Sequence, residues 1–369
     1  MSETSLRELT VEEKVGQLFF IGIPGPEIDA VTSDLLSHVR PGGICLFARN
    51  IKSLPQTRHL LDSLRLALLR EPFLSVDQEG GLVDRLRRVL APMPAPAKLR
   101  TAEDAARLGE LVARALRVLG FNMDFAPVID VIDEHRSSAN NGLLSRTFGK
   151  SEKDVVEFAG RFLNQLSAGG IMGCLKHFPG LGAAKVDSHE ELPLVEIGRQ
   201  ELFERDLLPC KAIFEQVGDT VAAMVGHAAY PNIDLQETDQ SGKLLPSSLS
   251  SSIVSDLLRN QLNFDGLVIT DDLEMGAILK NYGIGEACVM AINAGVDMLA
   301  ICADPHRIVE GYNSVLEAVK SRRIAVSRLE TSIERIERSR KELKEPLPFD
   351  PKGLENIADE IAEFNSQLN

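Results

Sequence analysis

At 369 residues, with 44% apolar and 25% charged residues, the chain has the balance of an ordinary folded protein able to bury a large core. Its formal net charge is −14 and it holds no dense basic cluster, which argues against nucleic acid or an anionic membrane as a partner. No run of about eighteen apolar residues occurs, and the polar N-terminus MSETSLRELTVEEK lacks the apolar core of a secretory signal, so the expected location is cytoplasmic.

Thr10-Val-Glu-Glu13 is a capping box, so the first helix begins there. Apolar runs of strand length follow at 17–23 (QLFFIGI), 42–48 (GGICLFA) and 73–79 (FLSVDQE). Thr101-Ala-Glu-Asp104 opens a helix that stops near Gly120, and a fourth run occupies 122–131 (NMDFAPVIDV). Ser151-Glu-Lys-Asp154 starts the next helix, with Gly169-Gly170 as its stop. Further runs lie at 170–178 (GIMGCLKHF), 222–230 (AAMVGHAAY) and 266–273 (GLVITDDL). A helix over Glu286–Asn293, closed by Gly295, precedes the eighth run at 297–303 (DMLAICA).

These runs are continuously apolar, as parallel strands covered on both faces require. Strand and helix alternating eight times predict an α/β fold, a (β/α)8 barrel of TIM type. The competing arrangement is a doubly wound open sheet, but Gly22-Ile-Pro-Gly25-Pro after the first run is too proline-rich for a dinucleotide fingerprint. The barrel domain is predicted over residues 1–343. Residues 344–369, with three prolines and then a short amphipathic helix, read as a C-terminal appendage. The charged stretch before it, SRRIAVSRLETSIERIERSRKELKE, reads as solvated helix. Cys45, Cys174, Cys210, Cys288 and Cys302 are scattered through the chain without metal-ligand spacing, so buried free thiols are expected.

In such a barrel the chemistry sits where strands end. The third run ends in Asp77-Gln-Glu79 and leads to Arg85; the fourth ends in Asp130 and leads to Arg146. The fifth ends in Lys176-His177, with Asp187 and His189 in the loop beyond it. The sixth carries His227 and the seventh ends in Asp271-Asp272. Taken singly, each has a plain structural reading: Asp272 as a helix N-cap, Lys176 as an ion-pair partner, His227 as a hydrogen-bonded core histidine, Asp133 and Glu134 as loop charges. Their convergence at one end of many strands argues for a site. The groups suit sugar chemistry, which needs a carboxylate nucleophile and an acid/base. Asp271, emerging from the apolar run LVIT, fits the first role. Asp187 and His189 fit a dyad in which the carboxylate orients the imidazole. Asp77, Arg85, Arg146, Lys176 and His177 would recognise hydroxyl and carbonyl groups.

Five segments, KHFPGLGAAKVDSHEELP (176–193), VDQEGG (76–81), FAPVIDV (125–131), SRTFG (145–149) and ITDDLEMGAI (269–278), together resemble glycoside hydrolase family 3. The likeness is to its single-domain β-N-acetylglucosaminidases, over about residues 8–340. The resemblance implies that Asp271 is the nucleophile, that His189 donates and accepts the proton with Asp187 polarising it, and that Asp77, Arg85, Arg146, Lys176 and His177 grip a non-reducing N-acetylglucosamine (GlcNAc). It implies a carbohydrate partner, no metal and no cofactor, and retaining hydrolysis such as bacterial cytoplasmic members perform on imported peptidoglycan fragments. Variants within the family are a β-glucosidase or other β-glycosidase, and transfer to phosphate, an anion that a neutral imidazole does not repel. Readings from other classes are a metal-dependent hydrolase built on His177, His189 and His227, and a GlcNAc-binding protein without turnover. The chain departs from the motif at Leu181, Ala183 and Ala184, where the family has His, Asp and Thr, and at Leu82, where arginine is usual. These changes spare every proposed chemical group and bear on loop closure and substrate range. A monomer or weak oligomer is expected.

Overall fold

Eight parallel strands close on themselves in the computed structural model, which describes residues 9–137, 142–188 and 190–368. They are β1 (Phe19–Gly22), β2 (Gly43–Leu46), β3 (Phe73–Val76), β4 (Met123–Asp124), β5 (Met172–Phe178), β6 (Ala222–Val225), β7 (Val268–Thr270) and β8 (Leu299–Ile301). Each pairs with the next in sequence, β8 returns to β1 with Phe19 opposite Leu299, and Ile269 of β7 bridges Met298 at the foot of β8. The ring excludes the open-sheet alternative. Every residue of these strands is buried, the outcome the continuous apolar runs foretold.

α1 (Val11–Gln17) precedes the barrel. After β1 to β5 come α2 (Ala30–Val39), α3 (Leu54–Ala67), α4 (Ala102–Leu119), α5 (Glu152–Ala168) and α6 (Leu207–Val217). A π-helical segment, Ser252–Gln261, follows β6, and α7 (Ile284–Ala294) and α8 (Pro305–Lys320) follow β7 and β8. The helix ends lie where the capping signals place them. Thr10 and Thr101 form complete capping boxes, Ser151 accepts the Asp154 N–H, and Gly120 and Gly295 take the left-handed conformation that ends α4 and α7. All five cysteines are buried free thiols. No helix among the described residues is long and apolar enough to cross a membrane.

The charged stretch near residue 330 departs from its reading as solvated helix. It forms α9 (Val326–Glu342), which buries Leu329, Ile333 and Ile336. Its Arg328 and Arg335 reach the fully buried Asp297 at the foot of β8, at 2.9 and 3.4 Å, where Arg259 also binds at 2.5 Å. The low mean hydropathy of this helix conceals a structural role, because its arginines are spent on a buried carboxylate at the closing seam. The last helix, α10 (Pro351–Leu368), buries Leu354, Ile357, Ile361 and Phe364 in the same apolar core as the barrel helices. Arg107 and Arg114 of α4 both bind its Glu360, at 2.6 and 2.7 Å.

Candidate active site

At the carboxyl ends of the strands a cavity opens, lined by side chains from the loops after β2, β3, β4, β5 and β7. Its floor is a network of paired charges. Lys176, in β5, lies 2.8 Å from Asp77 just beyond β3 and 2.5 Å from Glu79. Arg146, from the loop after β4, holds Glu79 through two hydrogen bonds of 2.8 and 2.9 Å, and Arg85 approaches Asp77 at 3.3 Å. Burial pushes Asp77 toward its neutral acid, yet Lys176, Arg85 and Arg146 outweigh it and hold the carboxyl well below the usual range. Glu79 is held low in the same way by Lys176 and Arg146. Burial disfavours the Lys176 ammonium, but Asp77 and Glu79 raise its pKa above the ordinary value. Lys176, Arg146, Asp77 and Glu79 therefore stay ionised in a desolvated pocket, pre-aimed as donors and acceptors for the polar groups of a ligand.

The register of β5 against β6 slips between Lys176 and Phe178, so two successive side chains, Lys176 and His177, both line the cavity. His177 Nδ1 is 2.7 Å from Asp130 Oδ2, and its Nε2 lies 4.0 Å from Asp271 Oδ2. Asp130 is the buried residue that orients this ring; its other oxygen accepts the Leu181 N–H at 2.6 Å. Asp271 follows β7 and lines the cavity, its Oδ1 accepting the Asp272 N–H at 2.8 Å. Burial works against its charge, but His177, that N–H and Lys176 together hold its carboxyl below the usual range. An ionised carboxylate at the mouth of a barrel is what nucleophilic attack needs.

His227 is fully buried, with Ser248 Oγ 2.7 Å from Nδ1 and the Asp272 carbonyl 3.1 Å from Nε2. A carbonyl only accepts, so Nε2 carries the proton and Nδ1 accepts from Ser248. Burial lowers its pKa, which favours this neutral form. His227 is thus the core histidine of its plain reading, and it steadies the Asp271-Asp272 turn. Asp272 caps no α-helix. It accepts the N–H of Glu274 two residues on, and burial, with the neighbouring charges of Glu274 and Asp271, pushes its pKa up to about 7. Asp133 is more than a loop charge, since it pairs with Arg205, whereas Glu134 is exposed.

Beyond Pro179 the chain runs over the cavity. Gly182 passes so close to the Val131 carbonyl that a Cβ would lie 2.0 Å from its oxygen. Leu181 and Ala184 are buried, and Val186, Asp187 and Ser188 line the cavity. Where the resemblance expects polar groups, the loop is thus seated by apolar burial. Asp187 shares the cavity with Asp271, Asp77, Arg85, Arg146, Lys176 and His177, which brings seven of the eight expected residues together. The eighth, His189, lies outside the described residues. Glu79 and Asp130 are the partners that the sequence reading did not assign to the site; both stood at the ends of the third and fourth runs, and only the fold shows what they hold. Among the described residues no group of three or more His, Cys, Asp or Glu could hold a metal ion.

Lys176→Met should be costly to the fold as well as to binding. It leaves Asp77 and Glu79 buried with one cation fewer, an expected loss of about 3–5 kcal/mol in urea unfolding. The sign with pH follows from the depressed native pKa values of the two carboxyls. Their contribution is full above the unfolded value of about 4 and is lost as pH falls toward the native values, so the acid limb of the stability profile should flatten in the variant. An unchanged urea midpoint would show that the network contributes nothing to stability.

Residues 10–339 match the family model described as the glycosyl hydrolase family 3 N-terminal domain. A β-hexosaminidase of Histophilus somni (strain 2336) is 31% identical over 301 residues, covering 79% of this chain and 82% of its own. A β-hexosaminidase of Pseudomonas aeruginosa (strain LESB58) is 33% identical over 291 residues, covering 77% and 82%. Among solved structures, a glycoside hydrolase family 3 β-N-acetylglucosaminidase from Paenibacillus sp. str. FPU-7 superposes with a TM-score of 0.84 at 30% identity, covering 96% of this chain and 69% of that one.

Proposed function

The chain belongs to glycosyl hydrolase family 3 and is a β-N-acetylhexosaminidase, and we propose that it releases terminal, non-reducing β-linked GlcNAc by double displacement. Asp271 attacks the anomeric carbon while His189, polarised by Asp187, protonates the departing oxygen. The product of this step is a glycosyl ester on Asp271 and a free leaving-group alcohol. The imidazole, now neutral, takes a proton from water, whose oxygen replaces the ester, so GlcNAc leaves with its starting configuration and both side chains recover their initial states. Asp77, Arg85, Arg146, Lys176 and His177 bind the sugar throughout. Peptidoglycan fragments ending in β-linked GlcNAc are the natural substrates we propose, met during cell-wall recycling in the cytoplasm.

The observation that carries this reading is the Asp271 carboxylate, held ionised beside His177 in the cavity that the Lys176–Asp77–Glu79–Arg146 network also lines. A fluorinated GlcNAc donor that forms the ester quickly and hydrolyses slowly should add one sugar mass to the peptide containing Asp271. A labelled peptide elsewhere, or no label on a protein that turns over ordinary substrate, would reject Asp271 as the nucleophile.

A further inference from the structure

Three successive residues at the root of the loop over the cavity are each fastened. The Gly180 carbonyl accepts from the Tyr230 hydroxyl, which reaches it at 2.6 Å from the segment after β6. Leu181 donates its N–H to Asp130, the residue that also orients His177. Gly182 lies so close to the Val131 carbonyl that no side chain fits between them.

Behind these contacts is a buried polar cluster that the proposed chemistry does not use. Arg136, from the loop after β4, binds Asp206 through two hydrogen bonds of 2.7 and 2.9 Å, and both residues are buried. The same guanidinium donates to the Val131 carbonyl at 3.1 Å, the carbonyl on which Gly182 rests. Asp206 ends a π-helical turn, Leu202–Asp206, just before α6. Its Cβ packs against Gly180, where an added Cβ would come within 2.8 Å of it. Gly180 has a φ of +134°, a backbone conformation that L side chains rarely adopt. Tyr230 is fully buried, and burial beside Asp206 and Asp130 raises its pKa well above the ordinary value, which keeps the phenol a donor. Burial pushes Asp206 up to about 6 against the pull of Arg136, so both charges of the pair are present at neutral pH. The described lining of the cavity includes none of Arg136, Asp206 and Tyr230. A buried ion pair is a poor source of net stability, so its role is better sought in what it positions.

We infer that Tyr230, Asp206 and Arg136 are positioning residues that set the root of this loop and so aim the acid/base at the glycosidic oxygen. The inference rests on the reading above that Asp187 and His189 protonate the leaving group. Asp187 lines the cavity only five residues beyond Gly182, so a tilt at 180–182 is carried to the proton donor. The side chains of Leu181, Ala183 and Ala184 cannot hydrogen-bond, and the cluster supplies the polar fastening from beneath. A misplacement of about 1 Å can cost on the order of 10²-fold in rate. Asp271 attacks from the end of β7, so its step does not pass through the loop.

The test is Tyr230→Phe, which removes one oxygen and keeps the ring, read as kcat/KM on methyl β-GlcNAc and on dinitrophenyl β-GlcNAc. The expected result is a fall of about 10-fold for the methyl glycoside and of less than about 2-fold for the activated one, whose leaving group needs no proton. A merely structural role lowers the active fraction and therefore both substrates alike. In a His189→Ala background Tyr230→Phe should add no selective loss, because a donor already absent cannot be misaimed. Equal losses on the two substrates, no loss on either, or a selective loss that persists undiminished without His189 overturns the positioning role and leaves the hydrolase reading standing. Arg136→Lys keeps a cation on Asp206 but not the paired hydrogen bonds, and it is read in the same way should Tyr230→Phe not fold. His189→Ala alone slowing both substrates equally overturns the acid/base reading, and the positioning role with it.

Discussion

Asp271→Asn is expected to lower kcat/KM on nitrophenyl β-GlcNAc by about 10⁴-fold or more, with the fold intact. The side chain keeps its shape, and an amide oxygen can still accept the Asp272 N–H that Asp271 Oδ1 now accepts at 2.8 Å. What it loses is the electron pair that would form the glycosyl ester, since an amide is too weak a nucleophile at carbon. Removing the negative charge also takes away its interaction with His177, whose Nε2 lies 4.0 Å from Asp271 Oδ2. Because the native site holds this carboxyl below its usual range, the charge is favoured in the fold, and thermal unfolding should be unchanged or slightly lowered. Sodium azide supplied to Asp271→Gly, which opens space on the attacked face, should partly restore leaving-group release and give a glycosyl azide of inverted configuration. Turnover within about tenfold of wild type in freshly prepared Asp271→Asn, or an azide product of retained configuration, would sink the assignment.

The second large effect belongs to His189. Its replacement by Ala should slow release of alkyl leaving groups by about 10²–10⁴-fold, the usual contribution of a positioned proton donor. Activated aryl leaving groups depart as stable anions and need little protonation, so their first step should slow far less. The profile with pH should change too. An imidazole ordinarily titrates near pH ~6.5, so the alkaline limb of kcat/KM for an alkyl glycoside should disappear in the variant. His177 and His227 supply the internal control: one is anchored to Asp130 and the other is buried between Ser248 and Asp272, and neither is assigned a proton to deliver. Equal losses for alkyl and activated aryl substrates would remove His189 from the acid role.

The barrel was legible because parallel strands must be covered on both faces, and eight continuous apolar runs have few other uses. Helix ends were legible for a local reason: Thr10, Thr101 and Ser151 satisfy N–H groups within three residues of themselves, and Gly120 and Gly295 relieve a backbone strain at a single position. The candidate site was legible as a set of residue types at strand ends, but its wiring was not. Nothing local tells that Glu79 bridges Lys176 and Arg146, sixty-seven residues further along in the second case. The same holds for Asp130, whose partner His177 is 47 residues away. These pairings are set by which strands the ring makes neighbours, β3 with β4 and β4 with β5. α9 misled for a related reason: its arginines have the composition of a solvated face, and Asp297, which neutralises them, arrives only when β7 meets β8.

α10 carries a consequence for how the enzyme is made. Its Asn365 binds the Pro92 carbonyl at 2.7 Å, and Arg100 binds the Leu368 carbonyl at 2.5 Å. These contacts brace the segment on which Gly80 and Gly81 rest, at the turn of the hairpin that pairs Gln78–Gly80 with Val83–Asp84. On the ribosome all eight strands are synthesised before residues 351–368, so the ring can close while the buttress of its mouth is still missing. A nascent chain at that stage would already hold the Lys176 network and Asp271, yet would present a hairpin without its brace. The support of this part of the cavity wall is then reached last, a temporal order written into the sequence by placing the brace some 270 residues after the part it supports.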